Sequence, residues 1–318
     1  MNDRKPPPGD SPYRGPSPGK PRDKRERERD RQDRPDPPPP AERRGPPRER
    51  QTDRDHSRDQ ADADLLRGAS DAPRPPREQR LHGVNACLAM FARRPQDLRK
   101  VWLLESRIPQ LKAVLAHCVT HRLGYTVVGD EDLQKLSASA HHEGVVFGAM
   151  PAAELGLSDW LRDLAPGPQL AIWLDGVGNP HNLGAILRSA AHFGVAALLL
   201  PKESPLALSG AAARVAEGGA EHVPLVRMGR ADNSLAQLRS AGFGAVATVV
   251  RGGQPLYAAA LPERMLLVMG AEQTGIHPAL AEAAALRVAI PGTGAVESLN
   301  VAAATAVFLG EWWRQRRA

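Results

Sequence analysis

The second half of the chain contains five short runs of consecutive apolar residues, separated by segments that suit helices. An apolar run without polar alternation is typical of a strand buried on both faces, and such strands form parallel sheets covered by helices. The pattern therefore predicts an α/β fold with a parallel sheet. The predicted strands are 170–174, 196–200, 244–249, 265–269 and 287–290, and the predicted helices are 183–193, 234–241, 278–285 and 301–314.

A shorter alternation of strand and helix patterns precedes this part and predicts a small α/β domain. Its predicted helices are 84–91 and 108–123, and its predicted strands are 101–104, 125–128 and 143–148. We assign residues 79–152 to this domain and residues 169–318 to the larger one. Residues 153–168, which contain Gly and Pro, are predicted to link them.

The start of the chain has a different composition, rich in Pro, Arg and Asp. Its mixed charges and its prolines offer almost no apolar surface to offset the conformational entropy lost on folding, so we predict that residues 1–78 are disordered. The net charge of +6 and the pI of about 9.7 favour a polyanionic partner. Because the tail mixes acids with bases, a solubilising role and an auxiliary RNA contact both remain open.

Cysteine and histidine positions argue against a disulfide framework or a metal cluster. Cys87 and Cys118 are the only cysteines, which favours a reducing cytoplasm. His141 and His142 have no third ligand at a recognised spacing, so a loop or RNA contact is the preferred interpretation. No apolar stretch reaches the length of a membrane span and the charged start lacks a signal-peptide core, so we expect a soluble, cytoplasmic protein without metal or membrane contact.

Three polar segments each follow one of the predicted buried strands, at 179–188, 270–275 and 290–300. In an open α/β sheet, ligands bind where loops leave the carboxyl ends of the strands, so these segments are expected to converge on one pocket. Asn182 is a good N-cap for the helix that is predicted to follow it, and exposed amide groups at that point suit anionic or electron-rich groups.

A dinucleotide-binding loop is the alternative interpretation of the glycines that precede this helix. The spacing does not fit, because Gly184 lies six positions after Gly178 where the fingerprint requires three, and Pro180 intervenes. A phosphate loop is excluded because the Gly-Lys-Ser/Thr sequence is missing. The polar loops must therefore bind a different kind of ligand.

Over about residues 170–317, the three polar segments resemble, in order and spacing, the motifs of the SpoU/TrmH-type RNA ribose methyltransferases of the SPOUT superfamily. Residues 81–152 are similar to the ribosomal-protein-L30-like (L30e-like) substrate-binding domain of many members. The resemblance implies S-adenosylmethionine as methyl donor, the 2′-hydroxyl of an RNA ribose as acceptor, a C-terminal trefoil knot and a homodimer. Ribosomal RNA is preferred over transfer RNA by analogy with relatives that carry the same N-terminal domain.

The resemblance also implies which residues form the site. Arg188 takes the place of the catalytic arginine, either as a general base or as a clamp on an RNA phosphate; because an arginine is cationic at pH 7, the clamp is simpler. The other residues with implied catalytic roles are Asn182, Glu272, Ser298 and Asn300. The residues implied to hold the cofactor are Thr248, Gly270, Gly275, Ile290 and Leu299.

These catalytic candidates also have plainer interpretations. Glu272 suits accepting hydrogen bonds from Asn182, Arg188 or a partner subunit, and its plainer interpretation is a solvated loop acid. Arg188 is also explained as a surface arginine of a helix, and either Ser298 or Asn300 as an N-cap of the last helix. No metal is required, since the sulfonium donor already carries a good leaving group.

Three positions depart from the family pattern. Gly292 and Ala302 replace a common methionine and a common serine, and Glu217 stands where serine is frequent. An acid there repels RNA phosphate unless it is paired, for which Arg214 is the expected partner. None of the departures removes an implied catalytic group. The alternatives to an active ribosomal RNA enzyme are a non-catalytic RNA-binding paralogue and a transfer RNA ribose methyltransferase.

Overall fold

Two sheets organise the structure, a computed structural model that describes residues 78–317. Of the tail predicted at 1–78, only Glu78 lies within this range, so the predicted disorder falls outside the described residues. The described residues belong to one compact unit. Among them, no helix is both long and apolar enough to cross a membrane.

The first sheet has four strands in the order β1-β4-β2-β3, with β2 and β3 parallel and the other pairs antiparallel. Two helices pack their apolar sides on one face, and a third covers part of the other face. Cys87 and Cys118 are free thiols in the core of the first face, and burial raises the pKa of both. The elements are β1 (Gln79–His82), α1 (Val84–Arg93), β2 (Leu98–Leu103), α2 (Lys112–Thr120), β3 (Gly124–Val127), α3 (Asp130–Ser137) and β4 (Val145–Ala149).

The second sheet has eight strands, all parallel, in the order β10-β12-β9-β11-β6-β7-β8-β5. Its strands are β5 (Leu155–Gly156), β6 (Gln169–Asp175), β7 (Ala197–Leu200), β8 (Leu225–Arg227), β9 (Gly244–Thr248), β10 (Gln254–Pro255), β11 (Arg264–Gly270) and β12 (Leu286–Ala289). Its helices are α4 (Leu157–Arg162), α5 (Pro180–His192), α6 (Gly210–Val215), α7 (Ala231–Ser240), α8 (Pro278–Ala283) and α9 (Val301–Arg317).

Alternate residues of β6 show why the apolar runs predicted buried strands. Ile172 points into a core formed with α5 and α9, whereas Trp173 points into a core formed with α4, α7 and α8. Both faces of the strand are therefore covered, as the continuous apolar pattern requires. This confirms the predicted α/β fold with a parallel sheet, and the five predicted strands match within two residues at each end.

The segment predicted to be a linker, 153–168, instead contributes a strand to the second sheet and a helix that packs on it. Strand β5 pairs with β8, and Trp160 of α4 packs against Phe243 with ring centroids 5.8 Å apart. The Gly and Pro residues of the segment therefore mark the ends of two short elements, β5 and α4. A second difference is in the helix predicted at 108–123, of which only α2 is helical, because residues 108–111 and 121–122 form turns.

The last helix contributes mainly to the core of its own chain. Phe308, Leu309 and Trp312 are buried against α5 and the sheet, and the Trp312 Nε1 donates to the carbonyl of Pro262 at 3.0 Å. Trp313, the residue after Trp312, is 37% exposed.

Candidate functional site

Two loops that leave adjacent strands form the walls of a cavity of about 340 Å³. Strands β6 and β11 run in parallel, and their last residues, Asp175 and Gly270, are register partners. The loops therefore begin side by side at the carboxyl edge of the sheet, as expected for an α/β binding site. The cavity is lined by residues 176–179 and 271–274, with Asn182 and Val301.

The loop after β11 is held in a tight turn that has no room for a side chain at its start. Ala271 and Gly275 exchange two backbone hydrogen bonds of 3.1 and 2.9 Å, and Gly275 has a φ of +69°. A Cβ atom at Gly270 would lie 2.2 Å from the carbonyl carbon of Gly275, so glycine is required there. Asp175 accepts a 2.7 Å hydrogen bond from the amide of His277, which ties the far end of the loop to β6.

Three of the predicted catalytic residues meet in one hydrogen-bonded cluster at this cavity. Asn182 Nδ2 donates to Glu272 Oε1 at 3.1 Å, and Asn300 Nδ2 donates to the same oxygen at 2.8 Å and lies 3.1 Å from Asn182 Oδ1. Two amides thus orient one carboxylate oxygen. Among the hydrogen bonds of residues 78–317, none reaches Glu272 Oε2, and Glu272 is exposed, so this second oxygen can accept a hydrogen bond from a ligand.

Asn182 does not cap the helix as predicted. Helix α5 begins at Pro180, and the residue before it, Asn179, is the N-cap, with its Oδ1 accepting from the His181 amide at 2.8 Å. Asn182 lies inside the first turn and is 9% exposed, which frees its side chain for Glu272. Asn179 was not among the predicted site residues, although Asn followed by Pro is a recognisable helix start.

Asn300 and Ser298 have different surroundings. Asn300 Oδ1 accepts from the Ala302 amide at 2.9 Å, so Asn300 caps α9 while its Nδ2 donates to Glu272 in the cluster. The two interpretations of this residue are therefore compatible. Ser298 lies in the exposed segment 291–300, and its hydroxyl makes no hydrogen bond with any described residue.

Arg188 is separate from the cluster within a single chain. It is exposed on α5, about 120° around the helix from Asn182 because six residues separate them. Its guanidinium makes no ion pair or hydrogen bond within residues 78–317. The backbone of Gly219 lies against this turn of α5, since a Cβ there would be 3.1 Å from the Cα of Arg188. The predicted hydrogen bond from Arg188 to Glu272 is therefore not formed.

The predicted cofactor residues gather along the carboxyl edge of three adjacent strands, β11, β9 and β12. Thr248 ends β9, and its hydroxyl donates to the Val268 carbonyl at 3.0 Å. Gly270 ends β11, and Ile290 directly follows β12 and is half-buried. Leu299, in the segment between β12 and α9, is 47% exposed.

Glu217, a departure from the family pattern, does not pair with Arg214 as expected. Its Oε2 accepts from Asn85 Nδ2 of α1 at 2.7 Å, and its φ is +50°. Arg214 instead lies 3.9 Å from Glu143. The pairing prediction is wrong because the backbone at Glu217 turns its side chain towards the first sheet.

Of the adjacent histidines His141 and His142, the second makes its contacts with residues of its own domain. His142 is buried, its Nδ1 accepts from the Gly144 amide at 3.1 Å, and its Nε2 lies 3.4 Å from an oxygen of Asp130. Within the part of the chain that the structure describes, no group of three or more His, Cys, Asp or Glu residues is arranged to hold a metal ion.

Comparisons with known proteins identify the family. A sequence model described as the SpoU rRNA Methylase family matches residues 169–310, and one described as RNA 2'-O ribose methyltransferase substrate binding matches residues 80–154. The chain is 34% identical over 245 residues to the 23S rRNA (guanosine-2'-O-)-methyltransferase RlmB of Pseudomonas syringae pv. tomato, covering 76% of this chain and 97% of that protein. The chain belongs to the SpoU rRNA methylase family.

Another family member is more similar in sequence. The uncharacterized tRNA/rRNA methyltransferase YfiF of Escherichia coli O157:H7 is 40% identical over 241 residues, covering 76% of this chain and 69% of YfiF. Among solved structures, an AdoMet-bound rRNA methyltransferase from Sinorhizobium meliloti aligns with a TM-score of 0.61 at 25% identity, covering 75% of this chain and 88% of that chain. A structure titled RNA 2'-O ribose methyltransferase aligns with a TM-score of 0.64 at 25% identity, covering 76% and 90%.

Proposed function

We propose that this protein methylates the 2′-hydroxyl of a ribose in structured RNA, with S-adenosylmethionine as the donor. The observation that carries the proposal is the cluster of Asn182, Glu272 and Asn300 at the carboxyl ends of parallel strands, in a chain of the SpoU family. Ribosomal RNA is the preferred substrate because the RlmB relatives are named for 23S rRNA. Transfer RNA stays the second candidate because the name of YfiF includes both.

The edge of the sheet fits the proposed cofactor. Gly270 lets the loop after β11 fold back tightly at this edge, and Leu299 and Ile290 offer apolar surface for an adenine ring. Thr248 and Gly275 complete the proposed cofactor site at the ends of β9 and of the loop after β11. When bound, the cofactor supplies an activated methyl group on a sulfonium.

The residues of this chain would then prepare the ribose hydroxyl, which is a poor nucleophile at neutral pH. Asn182 and Asn300 fix one oxygen of Glu272, and the second oxygen is available to orient the hydroxyl and would accept its proton as the methyl group passes from the sulfonium sulfur, left as a thioether, to the hydroxyl oxygen. Arg188 is cationic at pH 7, so we assign it the binding of an RNA phosphate beside the reacting ribose. Ser298 is proposed to contact the substrate.

The same proposal includes a homodimer, a trefoil knot and the predicted domains. Arg188 has no partner within residues 78–317, and four exposed apolar side chains lie in the segments that follow β9, β10 and β12: Val250, Tyr257, Val296 and Leu299. A second copy packed against these side chains would cover them and bring Arg188 of one protomer towards the cluster of Asn182, Glu272 and Asn300 in the other.

Strand β12 lies between β9 and β10, and the exposed segment 291–300 returns from it to α9, which supports a knotted crossing. We keep residues 79–152 as an L30e-like domain and residues 169–318 as the methyltransferase domain.

Transfer of a labelled methyl group to protein-free ribosomal RNA tests the function. We expect incorporation by the natural chain, and a fall in kcat/KM of about 10²-fold for Arg188→Ala and for Glu272→Gln, because each removes a charged contact to the reacting group. Arg230→Ala, which removes an exposed arginine that pairs with Asp232 and does not line the cavity, is the control and should keep full activity. RNA binding without incorporation by the natural chain would indicate the non-catalytic paralogue.

A further inference from the structure

One face of the first sheet carries a row of residues that no helix covers fully. Arg80, Gly148, Lys100 and Gly124 are register partners across β1, β4, β2 and β3, and we call them the cation row. The opposite face packs on α1 and α2, and α3 covers only the neighbouring residues around Trp102. Lys100 and Gly124 are exposed, and Arg80 is half-buried.

Trp102 holds the two cations of the row in place. The Arg80 Cζ lies 4.1 Å and the Lys100 Nζ 5.0 Å from the centre of its ring, both within the range of cation–π attraction. Gly148 makes the Arg80 position possible, because a Cβ there would lie 2.9 Å from Arg80 Nη1 and 3.3 Å from the Trp102 ring. A glycine inside a strand often marks such a close approach.

These cations are oriented without a counter-ion. Within residues 78–317, the side chains of Arg80 and Lys100 make no ion pair and no hydrogen bond, and Arg80 Nη1 is shielded from solvent without a partner. The acid beside the row is Glu78, whose Oε2 approaches the Gly148 position without reaching ion-pair distance of Arg80. Two desolvated or pre-positioned cations without an anion favour an anionic ligand.

We infer that the cation row binds phosphates of the RNA backbone, an inference that rests on the proposed function. Trp102 is only 9% exposed, so its ring cannot stack on a base, and the row presents charge alone. Contacts to phosphates position an RNA without reading its sequence. RNA is favoured over an acidic protein because residues 80–154 match the family's substrate-binding region.

Binding of protein-free 23S rRNA, measured by filter retention over a salt series without cofactor, tests the inference. We expect Lys100→Ala and Arg80→Ala each to weaken binding roughly 3- to 10-fold and to reduce the salt slope by about one, because each removes one phosphate contact. Lys112→Ala, at an exposed lysine on α2 away from the row, should change neither quantity. In the methylation assay the row variants should raise KM for RNA and leave kcat unchanged.

Two glycine variants in the same row sharpen the test. Gly148→Ala should displace the Arg80 guanidinium and weaken RNA binding as Arg80→Ala does. Gly124→Ala should bind normally, since a Cβ there would meet only the Lys100 stem at an ordinary 3.7 Å. Circular dichroism shows whether Gly148→Ala is folded, and if it is not, the Lys100→Ala result decides.

The outcomes separate this inference from the proposed function. If the natural chain binds RNA through the row but transfers no methyl group, the proposed function fails and the surface assignment stands. If methyl transfer proceeds while Lys100→Ala, Arg80→Ala and Lys100→Glu all bind RNA like the natural chain, the surface assignment is overturned.

Discussion

His82 is a buried histidine whose environment opposes its charge. It is 2% exposed, neither ring nitrogen has a hydrogen-bond partner among the described residues, and it lies against Gly210 of α6. Burial lowers the pKa of His82 below its usual 6.5, with smaller contributions from Arg214 and His142 that outweigh the opposite effect of Glu143. The imidazole is therefore neutral in the folded protein at pH 7.

This lowered pKa predicts a loss of stability in mild acid. The unfolded chain binds a proton below about pH 6.5 while the folded chain resists it, so the stabilisation is complete above pH 6.5 and is lost as the pH falls towards the folded-state pKa. Urea unfolding of the natural chain should give a falling free energy of unfolding between pH 7.5 and 5.5. His82→Gln should flatten this dependence, whereas His141→Gln, at an exposed neighbour, should keep it. An unchanged slope in His82→Gln would contradict the assignment.

Helix α5 owes its starting point to Asn179, and this start orients Asn182 towards Glu272. Removing the cap in Asn179→Ala should cost about 1 kcal/mol of stability and should lower kcat/KM, because Asn182 sits in the first turn. Ser209→Ala is the matched control, since Ser209 caps α6 by accepting from the Ala212 amide at 3.1 Å. Both variants should lose similar stability in urea unfolding, and only Asn179→Ala should lose activity. Equal activity in the two variants would remove Asn179 from the site.

The helices and strands show what the sequence alone could predict. The strands of the parallel sheet were predictable because burial on both faces leaves continuous apolar runs. Strands β5 and β8 were not, since two or three residues are too few to show a pattern. The start of α5 was predictable from Asn179 and Pro180, but Asn182 was assigned to the cap because the helix was predicted to begin one turn late.

The sequence could predict which residues form the cluster at the site, but not how their side chains are arranged. The resemblance to the family pointed to Asn182, Glu272 and Asn300, yet they are separated by 90 and 28 residues, and only the sheet order brings them together. The shared acceptor Oε1 of Glu272 and the separation of Arg188 from it depend on side-chain directions that no spacing encodes.

In the molecule as a whole, one buried ion pair joins the two sheets. Arg94, at the end of α1, donates through Nε and Nη2 to both oxygens of Glu221 at 2.8 and 2.9 Å. The side chains are 9% and 7% exposed, and Asn85 and Glu217 make a second contact nearby. These contacts lie next to the turn at Gly219, which packs against α5 at Arg188, so they connect the sheet that carries the cation row to the helix that carries Arg188.

Breaking this pair should therefore destabilise the protein far more than a surface pair would. Arg94→Met should cost about 3–5 kcal/mol in urea unfolding, because it leaves the Glu221 carboxylate buried without its partner. The double variant Arg94→Met, Glu221→Met should recover part of this loss, since it removes the buried carboxylate, while Asp97 and the Met150 carbonyl still lose their contacts with Arg94. Arg230→Met removes an exposed pair with Asp232 and should give no measurable change. Similar small effects of Arg94→Met and Arg230→Met would show that the two sheets are not held together by this contact.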